Sequence, residues 1–440
     1  MPPRPLAEKY SSHQEYLSAL GARGRLPSGF RLATTETSFR PPELGADARE
    51  QTIGLSLILL DSPSSAVAAV TTRNQIVGAP VTLVRQAIAD GRSIQGIVIN
   101  NRVANVCAPD GGLASARQLL AAVAGAVAVG PESLLPASTG VIGWRLPVAE
   151  LASATPALAN ALGDCSGVDL ARAIMTTDAY PKLRSATTSS GHQVLGVAKG
   201  AGMIEPNMGT MLAFLLTDAP ASRFELQAIL ESAVRTSFNT VTVDGDQSTS
   251  DMAILLSSAP SSGGDSEATG LAAAVTAVCE QVAGDLVRNG EGTRHVMHIA
   301  AAAVGDAFGL AKAVGNSPLV KTAIFGNDPN VGRLAGAVGD YLGNVARVGS
   351  VATLPPLTIH MGEHRLLHND RMFLDARVEA ELHGYLEAAA CDTSGGFPPH
   401  HRTVDIEITL GDGGPGTAYA EVLASDLSYD YVRENADYRS

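Results

Sequence analysis

The stretch that decides the fold is residues 196–219, which read GVAKGAGMIEPNMGTMLAFLLTDA. Residues 206–209 (PNMG) predict a sharp turn, because proline presets φ and glycine has no Cβ to block unusual backbone angles. Thr210 then opens a run, 211–216, that is apolar enough to be buried. A threonine in this setting either caps a local element or presents its hydroxyl on the bend.

The second interpretation gives Thr210 a chemistry. On such a bend, its hydroxyl can attack the carbonyl of Gly209 and exchange the peptide for an ester that water cleaves. The released α-amine has a pKa near 8, against about 10.4 for a lysine. It can therefore act as the general base for its own hydroxyl at neutral pH.

Around this segment, apolar strand-like runs alternate with alanine-rich helical ones. The strand-like runs are 53–60, 97–101, 194–197 and 253–256, and the helical ones are 80–89, 114–129 and 270–287. This alternation predicts mixed α/β packing in layers. Residues 257–266 and 391–400 are rich in Ser, Gly and Pro and predict loops.

Composition excludes several function classes. The 440 residues are 45% hydrophobic and carry a net charge of −13, which argues against nucleic acid or an anionic membrane as partner. The first residues contain no apolar core typical of a secretory signal, and the longest apolar stretches are too short to span a bilayer. Four cysteines without a CxxC pair predict reduced thiols in a cytoplasmic protein.

Two apparent motifs fail on inspection. His360, His364 and His368 have the i, i+4, i+8 spacing of zinc ligands on a helix, but the surrounding residues predict strand, turn and strand, on which the rings do not converge. The pair Gly200 and Gly202 lacks the third glycine of a dinucleotide-binding loop. We therefore expect no metal and no nucleotide cofactor.

Eight segments together resemble the ornithine acetyltransferase (glutamate N-acetyltransferase) family. They are TTRNQIVGAPV (71–81), ASTGVIGWRLP (137–147), IMTTDAYPK (174–182), KGAGMIEPNMGTML (199–212), FNTVTVDGDQSTSD (238–251), NGEGT (289–293), SPLVKTAIFGNDPNVGR (317–333) and NADYRS (435–440). Because the matches extend from about residue 50 to the last residue, we identify the chain as a member of this family.

The resemblance implies self-cleavage between Gly209 and Thr210, which would give mature chains 1–209 and 210–440. Thr210 would be the nucleophile that carries an acetyl group as an ester. Thr139 and Gly140 would form the oxyanion hole, through a hydroxyl and a backbone N–H respectively. Donors of this kind each lower the activation free energy by about 3 kcal/mol.

The resemblance also implies a set of substrate-binding residues. Besides Thr210 they are Thr177 (or its neighbour Thr176), Lys199, Glu291, Asn435 and Ser440. A zwitterionic amino acid needs a cation for its carboxylate and a carboxylate for its amine, which Lys199 and Glu291 can supply.

The implied fold is a layered α-β-β-α sandwich of the self-processing N-terminal-nucleophile type, with a second, smaller α/β lobe. We expect an N-terminal extension over 1–28, an α/β region over 29–220 that contains the cleavage site, and a second α/β region over 221–440. The two cleaved chains would stay together and pair into an α2β2 assembly.

Some positions depart from the family pattern. Arg102 intrudes in the segment NNRVANVCAP, Val331 replaces a usual tryptophan, and the last residue is serine instead of the frequent threonine. These changes spare the nucleophile and the oxyanion pair but leave the donor and acceptor open. Besides transfer from N-acetylornithine to glutamate, the alternatives are a paralogue of secondary metabolism, an amidohydrolase or aminopeptidase with the same nucleophile, and a non-catalytic binding protein.

Overall fold

A computed structural model describes residues 9–205, 211–260, 268–345, 355–394 and 396–436. The chain forms two compact units. The two-sheet unit comprises residues 17–239 and 246–286, and the one-sheet unit comprises residues 1–16, 240–245 and 287–440. The boundary expected near residue 220 is therefore displaced, because the strand before it and the helix after it both belong to the two-sheet unit.

The helices and strands alternate through most of the chain. The helices are α1 His13–Arg23, α2 Ala79–Ala89, α3 Leu113–Val127, α4 Val148–Asn160, α5 Gly167–Ala173, α6 Arg223–Thr236, α7 Ala268–Arg288, α8 Ala307–Asn316, α9 Pro318–Phe325, α10 Val331–Val345, α11 Ala376–Ala389 and α12 Tyr429–Ala436. The strands are β1 Phe30–Phe39, β2 Gln51–Ser64, β3 Val67–Thr71, β4 Ile94–Asn100, β5 Leu134–Ser138, β6 Lys182–Thr187, β7 Gln193–Lys199, β8 Leu212–Thr217, β9 Val241–Thr242, β10 Met252–Ser257, β11 Val296–Val304, β12 Leu357–Met361, β13 His364–His368, β14 Arg371–Met372, β15 Thr403–Leu410 and β16 Thr417–Ser425.

The two-sheet unit contains a four-stranded sheet in the order β1-β2-β4-β5 and a five-stranded sheet in the order β3-β10-β8-β7-β6. Strand β8 is central, parallel to β10 and antiparallel to β7. All six residues of β8 are buried, which explains why this strand reads as a continuous apolar run.

Helices cover the two sheets. Leu120 of α3 and Leu151 of α4 share one apolar core with Leu57 of β2, and Val278 of α7 lies against Gly196 of β7. Helix α5 touches strands of both sheets. Each sheet is thus covered by helices, and the predicted layered α/β fold is confirmed.

The one-sheet unit is the smaller α/β lobe that the resemblance implied. Its seven strands follow the order β14-β13-β12-β15-β11-β16-β9, and helices α8, α10 and α11 share their apolar core. Strands β12 and β13 pair antiparallel across a tight turn. The predicted hairpin at His360–His368 is thus confirmed.

Two expectations need correction. Residues 13–23 are helical although the first 28 residues looked irregular, because Tyr16 and Leu20, one turn apart, are both only 1% exposed and anchor one helix face. Helix α7 contains a 19-residue stretch, Gly270–Arg288, that is long and apolar enough to cross a membrane by length and composition. Since 61% of that stretch is buried inside the protein, it behaves as a core helix.

Candidate functional site

In the two-sheet unit, Thr139 and Gly140 directly follow strand β5. The strand ends are locked by polar contacts: Ser138 donates to the Asn100 side-chain oxygen over 2.6 Å, and the Thr139 N–H donates to the Asn100 carbonyl over 3.1 Å. The Val141 N–H donates to the Arg102 carbonyl over 2.9 Å. The two loops that follow β4 and β5 are thereby fastened side by side.

Gly140 lies against the backbone of Arg102 in the neighbouring loop. Its φ is +127°, and a Cβ placed there would lie 2.1 Å from the Arg102 carbonyl carbon. Only glycine fits both the backbone angle and the space. Among the residues that the structure describes, the Gly140 N–H donates to no acceptor. It is a fixed donor that an oxyanion can use.

Lys199, the last residue of β7, is brought to the same loop. Its ammonium donates to the Thr139 hydroxyl over 3.2 Å. Because an ammonium can only donate, the hydroxyl is the acceptor in this contact and keeps its own proton for another partner. Lys199 is only 8% exposed, so the contact is largely shielded from water. The structure thus brings Thr139, Gly140 and Lys199 together.

The sequence analysis did not identify Asp178, whose carboxylate holds the backbone next to Lys199. One carboxylate oxygen accepts from the Lys182 ammonium and from the Gly200 N–H at 2.8 Å, and the other accepts from the Thr176 N–H at 3.0 Å. Asp178 therefore links the loop before β6 to the residue that follows Lys199. The segment TTDAYPK gave no clear signal, because an acid and a lysine four residues apart are neighbours on a helix, whereas this stretch is a loop that leads into β6.

Burial and charge compete at this ion pair. Burial alone would raise the pKa of Asp178, but the charges of Lys182 and Lys199 outweigh it, and the pKa lies well below its ordinary value. Burial lowers the pKa of Lys182, and Asp178 opposes that shift. The carboxylate is thus ionised throughout the neutral range, and it holds the Lys182 ammonium and the Gly200 N–H in place.

In the sequence, Thr177 stands between Thr176 and Asp178. Both Thr176 and Thr177 are half-buried, so exposure does not separate the two candidates. The Thr176 N–H is committed to Asp178. Either hydroxyl is carried by a loop that Asp178 anchors.

Gly209, Thr210 and Ser440 lie outside the described residues. The described chain resumes at Met211, whose carbonyl accepts the Met252 N–H over 3.0 Å. Leu212 pairs with Lys199 across the β7–β8 ladder. In the sequence, Thr210 precedes Leu212 by two residues.

In the one-sheet unit, Glu291 and Asn435 form a second group. Glu291 follows α7 and is 7% exposed, and Asn435 is on α12. The Asn435 amide donates to a Glu291 oxygen over 2.8 Å and to the Tyr431 carbonyl over 3.0 Å. At Gly292 (φ +63°) a Cβ would lie 2.4 Å from the Tyr431 nitrogen. The glycine lets α12 approach the Glu291 turn.

Acidic neighbours give this second group a negative field. Burial raises the pKa of Glu434, and Glu291 and Asp430 raise it further. The Tyr431 hydroxyl donates to Asp244 over 3.2 Å. Such a group favours a cationic ligand. No set of three or more His, Cys, Asp or Glu side chains within the described ranges has a metal-binding arrangement.

Comparisons with known proteins agree over nearly the whole chain. Residues 43–440 match the ArgJ family. The arginine biosynthesis bifunctional protein ArgJ of Nitratidesulfovibrio vulgaris is 39% identical over 423 residues, which cover 94% of this chain and 99% of that protein. The protein of the same name from Geobacter sulfurreducens is 37% identical over the same length and coverage.

Among solved structures, ArgJ from Bacillus halodurans is 29% identical, with a TM-score of 0.42 and coverage of 52% of this chain and 99% of that chain. Ornithine acetyltransferase from Mycobacterium tuberculosis, complexed with ornithine, is 31% identical, with a TM-score of 0.35. That match covers 43% of this chain and 96% of the other.

Proposed function

This chain belongs to the ArgJ family, and on that premise we propose that it is an acetyltransferase that acts on small amino acids through an ester on Thr210. The acetyl group moves from N-acetylornithine, or a related N-acyl amino acid, to glutamate or another amine acceptor. The observation that carries the proposal is the contact of Lys199 with Thr139 beside the unused N–H of Gly140.

The chemistry begins with maturation. The Thr210 hydroxyl attacks the Gly209 carbonyl, the peptide becomes an ester, and water cleaves that ester to leave a carboxylate on Gly209 and a free amine on Thr210. The products are chains 1–209 and 210–440. The new α-amine then takes the proton of its own hydroxyl in each acyl transfer.

Each half-reaction exchanges one bond. In the first, the Thr210 oxygen attacks the acetyl carbonyl, the amide C–N bond breaks, and ornithine leaves with the proton held by the α-amine. In the second, the neutral amine of glutamate attacks the ester carbonyl and the ester C–O bond breaks. The α-amine of Thr210 takes the proton from the glutamate nitrogen and returns it to the Thr210 oxygen, so the products are N-acetylglutamate and the free hydroxyl. The oxyanion formed in both steps is held by the Thr139 hydroxyl and the Gly140 N–H.

We propose a second part for Lys199, besides the expected contact with the substrate carboxylate. Its ammonium contacts Thr139, so we assign it to orienting the oxyanion hydroxyl and to adding positive charge beside the oxyanion. Glu291 with Asn435 is assigned to the substrate amine and Lys199 to its carboxylate. The hydroxyls of Thr177 and Ser440 are assigned to substrate orientation. The negative field around Glu291 suits a substrate ammonium.

The family membership supports a proposal for the assembly and the location. We propose that the two cleaved chains remain associated, pair into an α2β2 assembly, and work in the cytoplasm. No metal or other cofactor takes part in the proposed steps.

The test compares the wild type with Thr210→Ala and Thr210→Ser. Purified protein is incubated with N-acetylornithine, with and without glutamate, and acetylglutamate, ornithine and acetate are quantified by mass spectrometry. We expect transfer in the wild type, reduced transfer in Thr210→Ser and none in Thr210→Ala, which stays uncleaved. Acetate release that glutamate does not change identifies an amidohydrolase instead, and wild-type processing of Thr210→Ala excludes Thr210 as the nucleophile.

A further inference from the structure

A cavity of about 510 Å³ lies in the one-sheet unit, and none of the residues that line it is assigned to the transfer reaction. It is formed where the end of α11 meets residues 391–394 and 401–402, and Lys9 also lines it. Its volume falls within the range of small-molecule sites in proteins, which runs from about 300 to 1,000 Å³.

Three permanent cations line this cavity: Lys9, Arg294 and Arg402. Arg402 donates to the Ala388 carbonyl in the last turn of α11 over 3.2 Å, and the Arg294 guanidinium lies 5.9 Å from the centre of the Phe325 ring. Within the described part of the chain, none of the three cations is in an ion pair. The two guanidinium groups are therefore positioned by neutral partners and keep their charge for a ligand.

The cavity is also lined by acidic side chains. Glu387 and Asp392 line it, together with His401. Nδ1 of His401 is buried and has no hydrogen-bond partner among the described residues. Burial, with Lys9 and Arg402 nearby, lowers the pKa of His401.

We propose that this cavity is a second amino-acid site, distinct from the transfer site, that binds a free α-amino acid. Arg294, Arg402 and Lys9 take the carboxylate, since guanidinium groups match a carboxylate in two-point contacts. Glu387 and Asp392, the two carboxylates of the lining, take the ammonium. A simple anion would satisfy only the cationic half of the cavity.

The thiol of Cys391 lines the same cavity and reports its occupancy. Burial raises its pKa, so alkylation is followed at alkaline pH. The rate of modification by iodoacetamide is measured by peptide mass spectrometry with L-glutamate, L-ornithine, L-arginine or inorganic phosphate added to the full-length protein. Cys165, half-buried in the other unit, is the internal reference.

We expect at least one amino acid to slow Cys391 modification about tenfold at ten times its Kd, while Cys165 is unaffected. Arg402→Gln and Arg294→Gln abolish the protection, whereas the control Arg371→Gln on β14 retains it. The proposal is overturned when no amino acid protects Cys391, when phosphate protects as well as the amino acids do, or when both cavity variants, shown to be folded by circular dichroism, keep full protection.

Discussion

Replacing Gly140 by alanine tests the oxyanion hole most sharply. The added Cβ would lie 2.1, 2.3 and 2.6 Å from the carbonyl carbon, carbonyl oxygen and Cα of Arg102, all of them backbone atoms. Because real Cβ contacts are essentially never shorter than 3.0 Å, the loop must move by about 1 Å. A displacement of that size in a catalytic group costs about 100-fold in rate.

The full loss of one oxyanion donor sets the upper limit. It corresponds to about 100- to 1,000-fold in kcat, or about 3 to 4 kcal/mol. We expect Gly140→Ala to fall within this range for transfer from N-acetylornithine to glutamate, with a smaller change in KM, because the donor acts on the charge that develops in the transition state.

Gly143→Ala is the matched control. Gly143 also has a positive φ (+89°) and is on the same loop, but a Cβ there meets nothing within 4 Å. It pays the same kind of backbone strain, about 1 kcal/mol, without the clash. Initial rates and thermal unfolding are measured for both variants. A folded Gly140→Ala enzyme with transfer within threefold of Gly143→Ala refutes the oxyanion assignment.

Three further predictions concern stability and binding. Asp178→Asn leaves the Lys182 ammonium buried without its carboxylate and should lower the free energy of unfolding, measured in urea, by about 3–5 kcal/mol. Since the pKa of Asp178 is lowered, the wild type loses this contribution as pH falls below about 3.9. A variant whose stability declines with acid in the same way as that of the wild type would contradict the prediction. Burial lowers the pKa of His400 to about 4, so between about pH 6.5 and 4 the unfolded chain binds a proton that the folded chain does not. The free energy of unfolding therefore falls by about 3 kcal/mol as pH is lowered through that range. His400→Gln should flatten this decline in urea unfolding measured at several pH values. Asn435→Ala should raise KM for N-acetylornithine about fivefold, from the loss of about 1 kcal/mol, with kcat nearly unchanged; an equal effect of the nearby control Arg433→Ala counts against a substrate role.

The sequence predicted the layers of the fold well, because burial leaves a pattern in the chain. The apolar runs 53–60 and 253–256 lie in β2 and β10, and the helical spacing of 80–89 corresponds to α2. The family resemblance, carried by motifs along the chain, is confirmed by the match over 43–440. The predicted loop at 391–400 is also confirmed over its described residues.

The contacts around the site could not be predicted in the same way. Lys199 was expected to meet a substrate carboxylate, and only the fold shows that β7 delivers its ammonium to Thr139. Asp178 was not identified because the sequence alone does not distinguish a buried Asp–Lys ion pair from an exposed one. The unit boundary was missed because β9 lies in the one-sheet unit although its neighbours in sequence belong to the other.

The central claim is that the chain cuts itself to create its own base, and N-terminal sequencing of the purified, active enzyme tests it directly. The account predicts two polypeptides, one of which begins TMLAF at Thr210. A fully active preparation that consists of a single uncut chain of 45.2 kDa would contradict it.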